Sequence, residues 1–206
     1  DDFTIDFWVN FNNLNTNYGA FIGQNDELGN HWSFKYREPH SDIQFYALSG
    51  FTEIIDLRTS WSPSVNTWYH LSLVRSGSTF TIYIDGVNVA SDTRDITMPS
   101  VASTLDIGTW AGDYFNGWLD EFRVNIDKEE PVVSPDTIFY ITAENARDGS
   151  PSFVDAAKGH TITAFGDAQI DTAQSYAGGA SAYFDGNGDY LSILDNDDVY
   201  FGADDF

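Results

Sequence analysis

The sequence predicts an all-β protein, an antiparallel β-sandwich. Three observations predict it. Apolar residues recur with period 2, and helical periods are absent. Short strand-like runs alternate with Gly, Asn, Asp and Ser clusters at spacings of about 8–12 residues. Aromatic residues make up 16% of the 206 residues, which suits the broad inner faces of packed sheets.

Each element follows from its local pattern. Phe3, Ile5, Phe7, Val9 and Phe11 alternate with polar residues, so they share one face of an opening strand. Strands are predicted at Tyr18–Ile22, Trp32–Tyr36, Ile43–Leu48 and Glu53–Leu57. Trp68–Val74 reads as a mostly buried strand. Phe80–Asp85 leads into Asp85-Gly86, the strongest short hairpin signal, and Val87–Ala90 returns. Thr104–Ile107 and Asn116–Val124 follow. Residues 128–135 break the pattern: they are charged, hold Pro131 and Pro135, and read as a linker. Beyond it come strands at Ile138–Thr142, His160–Ala164, Ala168–Ile170, Ser181–Phe184 and Tyr190–Ile193. No second copy of the Trp-Tyr-His strand or the Asp-Gly hairpin appears there. The chain therefore divides into a main body, 1–127, and a different segment, 136–206.

Composition excludes several function classes. The formal net charge is −23, from 32 acidic and 9 basic residues. A nucleic acid held through its phosphates requires Lys and Arg, so no nucleic-acid partner is expected. An anionic membrane surface is disfavoured for the same reason, and no apolar run nears the ~20 residues of a membrane span. No cysteine is present, which removes disulfides, thiolate metal sites and a cysteine nucleophile.

Three stretches carry a resemblance. Phe3–Phe11, Asn66–Ser91 and Leu105–Val124 look like laminin-G-like domains of the concanavalin A-like jelly-roll superfamily. The telling pieces are Phe-Thr-Ile-Asp-Phe-Trp-Val, Trp-Tyr-His-Leu-Ser-Leu-Val-Arg, Ile-Tyr-Ile-Asp-Gly, and Asn116-Gly117-Trp118-Leu119-Asp120-Glu121-Phe122-Arg123-Val124. Gly179–Leu191, with Tyr183-Phe184-Asp185-Gly186-Asn187-Gly188-Asp189-Tyr190, matches too. In the family that motif lies upstream of the Phe-Thr-Ile-Asp-Phe-Trp strand. Residues 138–170 likewise resemble the first strands of such domains in tail and fibre proteins of marine phages.

The segment order is thus rotated: family order would be 136–206 and then 1–127. Either 136–206 folds back on the body of its own chain as a permuted sandwich, or it completes the body of a neighbouring unit by strand donation. The chain ends bear on this choice. Asp-Asp-Phe stands at both 1–3 and 204–206, and the C-terminal residues run naturally into the N-terminal ones. The expectation is one period, 203 residues long, of a longer object whose units complete each other head-to-tail. Asp1 is no natural translation start, which fits a processed or partial chain.

Catalysis is not expected. The polysaccharide hydrolases that share this fold carry Glu-x-Asp-x-x-Glu on one strand, and no such motif occurs here. His31, His40, His70 and His160 lack metal-ligand spacing, and no Gly-x-Ser-x-Gly marks a nucleophile. Calcium is the expected cofactor. Asp185, Asn187 and Asp189 place hard oxygen ligands in a glycine-containing turn. The resemblance adds Asp120, from the closing strand, as a ligand. The competing reading makes Asp185-Gly186 and Gly188-Asp189 ordinary turn residues. Asn196-Asp197-Asp198 and Asp204-Asp205 read as solvated loops.

The fold family implies carbohydrate binding, with Trp61, Trp110, Tyr114 and Tyr46 as stacking candidates at strand ends or in loops. The competing reading has them roofing the core. Two functions result. The first is a non-catalytic structural or adhesive repeat of an extracellular filament, fibre or virion surface, whose partners are copies of itself. The second is a monomeric calcium-dependent module that binds surface glycans.

Overall fold

The computed structural model describes residues 2–14, 18–127, 136–143, 147–195, 199 and 201. The linker 128–135, the loop residues 196–198 and the repeated Asp-Asp-Phe of 204–206 lie outside the described residues.

Strands are the main secondary structure of the described residues. The first nine are β1 (Asp2–Phe11), β2 (Gly19–Asn25), β3 (His31–Arg37), β4 (Asp42–Ser49), β5 (Thr52–Ser60), β6 (Trp68–Ser76), β7 (Thr79–Ile84), β8 (Val87–Thr93) and β9 (Leu105–Ile107). Then come β10 (Thr109–Trp110), β11 (Asp113–Tyr114), β12 (Asn116–Asp127), β13 (Asp136–Thr142) and β14 (Val154–Asp155). The last are β15 (Ile162–Phe165), β16 (Gln169–Asp171), β17 (Ser181–Asp185) and β18 (Tyr190–Ile193). One 3-10 turn, Glu38–His40, joins β3 to β4.

All pairings are antiparallel. The back sheet runs β14-β13-β12-β1-β6-β7-β8, with β17 also on β12 and β16 on β17. The front sheet runs β15-β18-β9-β2-β3-β4-β5. The hairpin β10–β11 forms its own two-stranded ladder. The strand β12 is long enough to serve two neighbours along one edge. Its Asn116–Leu119 half pairs with β17, and its Phe122–Ile126 half pairs with β13. The change of neighbour falls at Glu121, a non-glycine residue with φ 52°, beside a bulge opposite β1. Such a bulge re-aims side chains.

Period-2 alternation builds the core between the sheets. Phe3, Ile5, Phe7 and Val9 of β1 are buried against Phe34, Phe45, Leu71 and Phe122. The Phe7 ring stacks on Phe122 at 4.7 Å and 11°. Residues beyond the linker join the same core: Ile138, Phe139, Ile141, Phe184 and Leu191 are all buried in it. Phe201 packs edge-on to Phe3 at 5.4 Å and tilts over Trp32 at 4.5 Å. Each such side chain contributes roughly 1.5–3 kcal/mol through burial, so both segments of the sequence stabilise one sandwich.

The hairpin at Asp85-Gly86 forms as the sequence predicts. Both residues have positive φ (51° and 76°), and Ile84 pairs with Val87 across a two-residue turn. Three short strands escaped the period-2 reading: β10, β11 and β14 are each two residues long, too short to show a period.

Candidate functional site

The strand alternation that fills the core points the intervening residues outward. Trp32, Phe34 and Tyr36 face the core, so His31, Ser33, Lys35 and Arg37 face out from the front sheet. By the same rule Gln44 and Tyr46 of β4, Asp106 of β9, and Tyr190 and Ser192 of β18 share that outer face. Cross-strand register aligns Ser192, Asp106, Gly23, Ser33, Tyr46 and Asp56 in one row across the sheet.

The β10–β11 hairpin folds onto this row. A glycine is required at position 23: a Cβ there would lie 2.7 Å from Cδ1 of Trp110 and 2.8 Å from the Trp32 carbonyl. With no side chain below it, the Trp110 indole settles on the sheet between two basic side chains. His31 lies 5.0 Å away on one side, and the Lys35 ammonium stands 3.9 Å from the indole centroid. Tyr46 continues the cluster, 5.6 Å from His31. Tyr114, from the same hairpin, faces Tyr190 at 6.5 Å, and Tyr190 stacks on Phe165 at 4.4 Å.

The electrostatics of this face are unusual for an acidic chain. Lys35 is 6% exposed and forms no ion pair among the described residues. Burial pushes its pKa down to about 8, against the raising influence of Asp113. Burial also lowers the His31 pKa, and the Lys35 charge lowers it further. Four buried polar atoms here lack a hydrogen-bond partner among the described residues: Ser33 Oγ, His31 Nε2, Trp110 Nε1 and Asp106 Oδ1, although the Asp106 carboxylate as a group interacts with the Ser192 and Thr104 side chains. Buried polar groups are normally partnered, so such a concentration needs an explanation.

A second cluster lies at one end of the sandwich, where β17 hands over to β18. Asp167, Asp185 and Asp189 each bring a carboxylate oxygen within 4.8 Å of the others. Asp189 is fully buried; its Oδ1 accepts the Asp167 N–H at 2.7 Å and its Oδ2 the Asp185 N–H at 2.8 Å. Gly166, with φ 67°, likewise leaves no room for a side chain, because a Cβ would strike Asp189 Oδ1. Burial pushes the Asp189 pKa up to about 6, with the Asp185 charge adding to the rise. The donor set fits a divalent cation: three hard carboxylates, closely spaced, one of them costly to ionise without a counter-charge.

The predicted site residues separate accordingly. Asp185 and Asp189 come together, joined by Asp167, which the sequence reading missed. Asn187 caps the turn, its N–H donating to Asp185 Oδ1 at 2.6 Å. Asp120 has other work: it accepts N–H groups of Tyr176 (2.8 Å), Ala177 (3.0 Å) and Glu121 (2.9 Å). Of the aromatic residues, Trp110, Tyr114 and Tyr46 share the front face. Tyr46 sits within β4, not at a strand end as the sequence suggested. Trp61 packs edge-on against Phe11, Tyr36 and Tyr69, at 5.7, 5.8 and 5.3 Å, roofing the core. Sequence reasoning also missed His31, Ser33 and Lys35. The available signal was Lys35 itself, one of nine basic residues, set on a strand between Phe34 and Tyr36.

A family model for the Concanavalin A-like lectin/glucanases superfamily, Laminin_G_3, matches residues 1–126, more than half of the chain. A comparison with curated protein sequences finds no match. Among solved structures, the carbohydrate binding module CBM66 from Bacillus subtilis is similar at 19% identity and TM-score 0.37. That match covers 46% of this chain and 60% of that one. Domains LG4-5 of the mouse laminin alpha1 chain are similar at 15% identity and TM-score 0.43, covering 60% of this chain and 34% of that one. Galectin LEC-6 of Caenorhabditis elegans is similar at 14% identity and TM-score 0.38, covering 47% of this chain and 67% of that one. The chain thus spans less than two thirds of the first of these relatives.

Proposed function

The chain belongs to the concanavalin A-like lectin/glucanases superfamily, and on that premise we propose that it is a non-catalytic adhesive module that binds carbohydrate on the outer face of its front sheet. One observation carries this reading: Trp110, His31 and Tyr46 form an aromatic cluster on that face, over polar atoms left without partners. Sugars need both an apolar platform and convergent polar groups. The charge of −23 fits an extracellular or virion-surface setting and gives no support for nucleic acid.

Catalysis finds no support among the described residues. The outward carboxylates of Asp6 and Glu121 are engaged: Asp6 faces His70 at 3.5 Å, and Glu121 pairs with Arg123 and accepts the Tyr140 hydroxyl. The test of the binding reading is a paired substitution. Trp110→Ala should abolish glycan-array signal with little change in melting. Trp61→Ala should retain the signal while costing ~3–5 kcal/mol of stability. Retained binding in Trp110→Ala would sink the proposal.

Calcium would be held by Asp167, Asp185 and Asp189, with Asn187 shaping the turn and Asp120 outside the set. Its charge would relieve the mutual repulsion of the carboxylates and tie β15 to the β17–β18 connection.

Assembly is a second reading, favoured by the strand pairing. Ile126 of β12 faces Asp136 of β13 in the ladder, and β17 and β18 occupy slots in both sheets. The same slots can be filled from a neighbouring copy, which would yield a fibre whose units complete one another head-to-tail. A concentration-dependent ladder of multiples of 23 kDa in light scattering supports exchange. A monomer at every concentration confines 136–206 to its own sandwich.

A further inference from the structure

The chemistry of the front face narrows the ligand class. Lys35 is a buried cation with no salt-bridged carboxylate among the described residues, which is costly unless something offsets the lost hydration. Its offset is the Trp110 ring at 3.9 Å, with Tyr18 more distant at 5.6 Å. Arg37, the next outward residue on β3, is fully committed to Asp42 by a two-pronged bridge at 2.7 and 2.6 Å. Lys35 is therefore a cation on this face left available to a ligand.

The groups around it are mostly donors. Ser33 Oγ and Trp110 Nε1 are unpartnered donors, and His31 Nε2 can donate; Asp106 Oδ1, one strand beyond Gly23, is an unpartnered acceptor. Donors beside a cation match an anionic group, and an acceptor beyond them matches a hydroxyl. The covering hairpin is short and is tied to the sheet at its ends, where the Gly108 N–H donates to the Phe21 carbonyl at 3.0 Å and the Phe115 N–H to the Gly108 carbonyl at 2.8 Å. Its ladder has two pairs, Thr109 with Tyr114 and Trp110 with Asp113, and its turn places the non-glycine Ala111 at φ 52°. Asp113, the larger acidic influence on Lys35, lies on the hairpin; Asp56, in the polar row, is the other.

We propose that the outer face around the β10–β11 hairpin takes an acidic saccharide, whose carboxylate or sulfate joins the Trp110 ring as a partner of the Lys35 ammonium. This rests on the carbohydrate-binding reading above and adds the charge of the sugar. In a chain of −23 the long-range field repels anions. Selection for an acidic sugar must then be local, and one residue should control it.

The experiment is calorimetric titration of three probes: an oligogalacturonate, a sulfated oligogalactan and a neutral oligogalactan. Wild type should bind at least one acidic probe about 10-fold or more tighter than the neutral one, the size of one charge-assisted contact. Lys35→Met should erase that preference and leave neutral binding within about 3-fold. The wild-type preference should also fade as pH rises past about 8, where Lys35 loses its proton. If Lys35→Met fails to fold, this pH profile and Lys35→Gln carry the test. Equal binding of acidic and neutral probes, or a preference that survives Lys35→Met, overturns the proposal and leaves carbohydrate binding standing. Binding of none of the three overturns both.

Discussion

The outer faces of the two sheets carry the same kinds of residue and treat them in opposite ways. Each presents tryptophan, tyrosine, histidine, a cation and carboxylates. On the back sheet these groups satisfy one another. His70 faces Asp6, Glu121 holds both Arg123 and Tyr140, Trp118 Nε1 donates to Asp171 at 2.8 Å, and Trp8 lies flat under Tyr176 at 3.3 Å. Asp120 pins the loop that carries Tyr176. The exceptions there are the amide oxygens of Asn10 and Asn125. On the front sheet Ser33, His31, Asp106 and Trp110 each keep a buried polar atom unpartnered, around an unpaired Lys35. Residue type does not separate a scaffold from a site; partner saturation does. A satisfied network rigidifies, whereas an unsatisfied one stores interactions that a ligand can complete.

The largest test removes a saturated anchor. Asp155 on the back sheet has a fully buried side chain and accepts the N–H groups of Tyr140, Ala157, Lys158 and His160, with the His160 ring at 2.7 Å. Asp155→Ala should cost ~3–5 kcal/mol by orphaning these donors. For a chain of this length that is a melting decrease of about 6–20 °C. A loss under about 1 kcal/mol would break the contrast from the scaffold side.

A second test compares two buried carboxylates with opposite titration. Burial alone would raise the Asp155 pKa, but its backbone donors and His160 outweigh burial and hold it below the usual carboxylate value. Its stability contribution is present above the ordinary carboxylate pKa and is lost as pH falls through the lowered folded value. Asp189 runs the other way. Its pKa is raised to about 6, so the metal-free native state binds a proton that the unfolded chain has released. Metal-free stability should therefore fall as pH climbs from about 4 to about 6. Added calcium should raise the melting temperature markedly at pH 7.5, by up to ~2.7 kcal/mol at a hundred times its Kd, and negligibly at pH 4.5. An equal gain at both values would remove Asp189 from the cation site.

The sandwich was legible because burial on two faces imposes period 2, as Phe3 through Phe11 show. Asp85-Gly86 was legible because its turn has a two-residue signature. The site was legible in part. Trp110 stood out as an aromatic in a loop, and Asp185 and Asp189 as acids in a turn. Asp167 did not, because it meets them through the β15–β18 pairing, a contact between distant parts of the chain that no local spacing encodes. Lys35 was hidden for a related reason. Its lack of a salt bridge among the described residues is a property of the folded face, where Arg37 takes Asp42 and Trp110 closes over Gly23. Asp120, read as a ligand, is not among the three carboxylates that come together and instead accepts three backbone N–H groups.

The smallest effect tests the contrast most sharply. Ser33 is fully buried, yet its hydroxyl has no partner. Removing a hydroxyl from a partnered buried site strands its partner and costs about 1–3 kcal/mol. Removing one that has no partner strands nothing and relieves its own lost hydration. Ser33→Ala should therefore leave stability unchanged within about 0.5 kcal/mol, or raise it slightly, while weakening saccharide binding several-fold. Denaturant midpoints and titration of the same samples separate the two outcomes. A loss of stability above about 1 kcal/mol would mean that Ser33 belongs to the scaffold after all. Unchanged stability with unchanged binding would mean that the open polar atoms of the front sheet are not where the sugar is read.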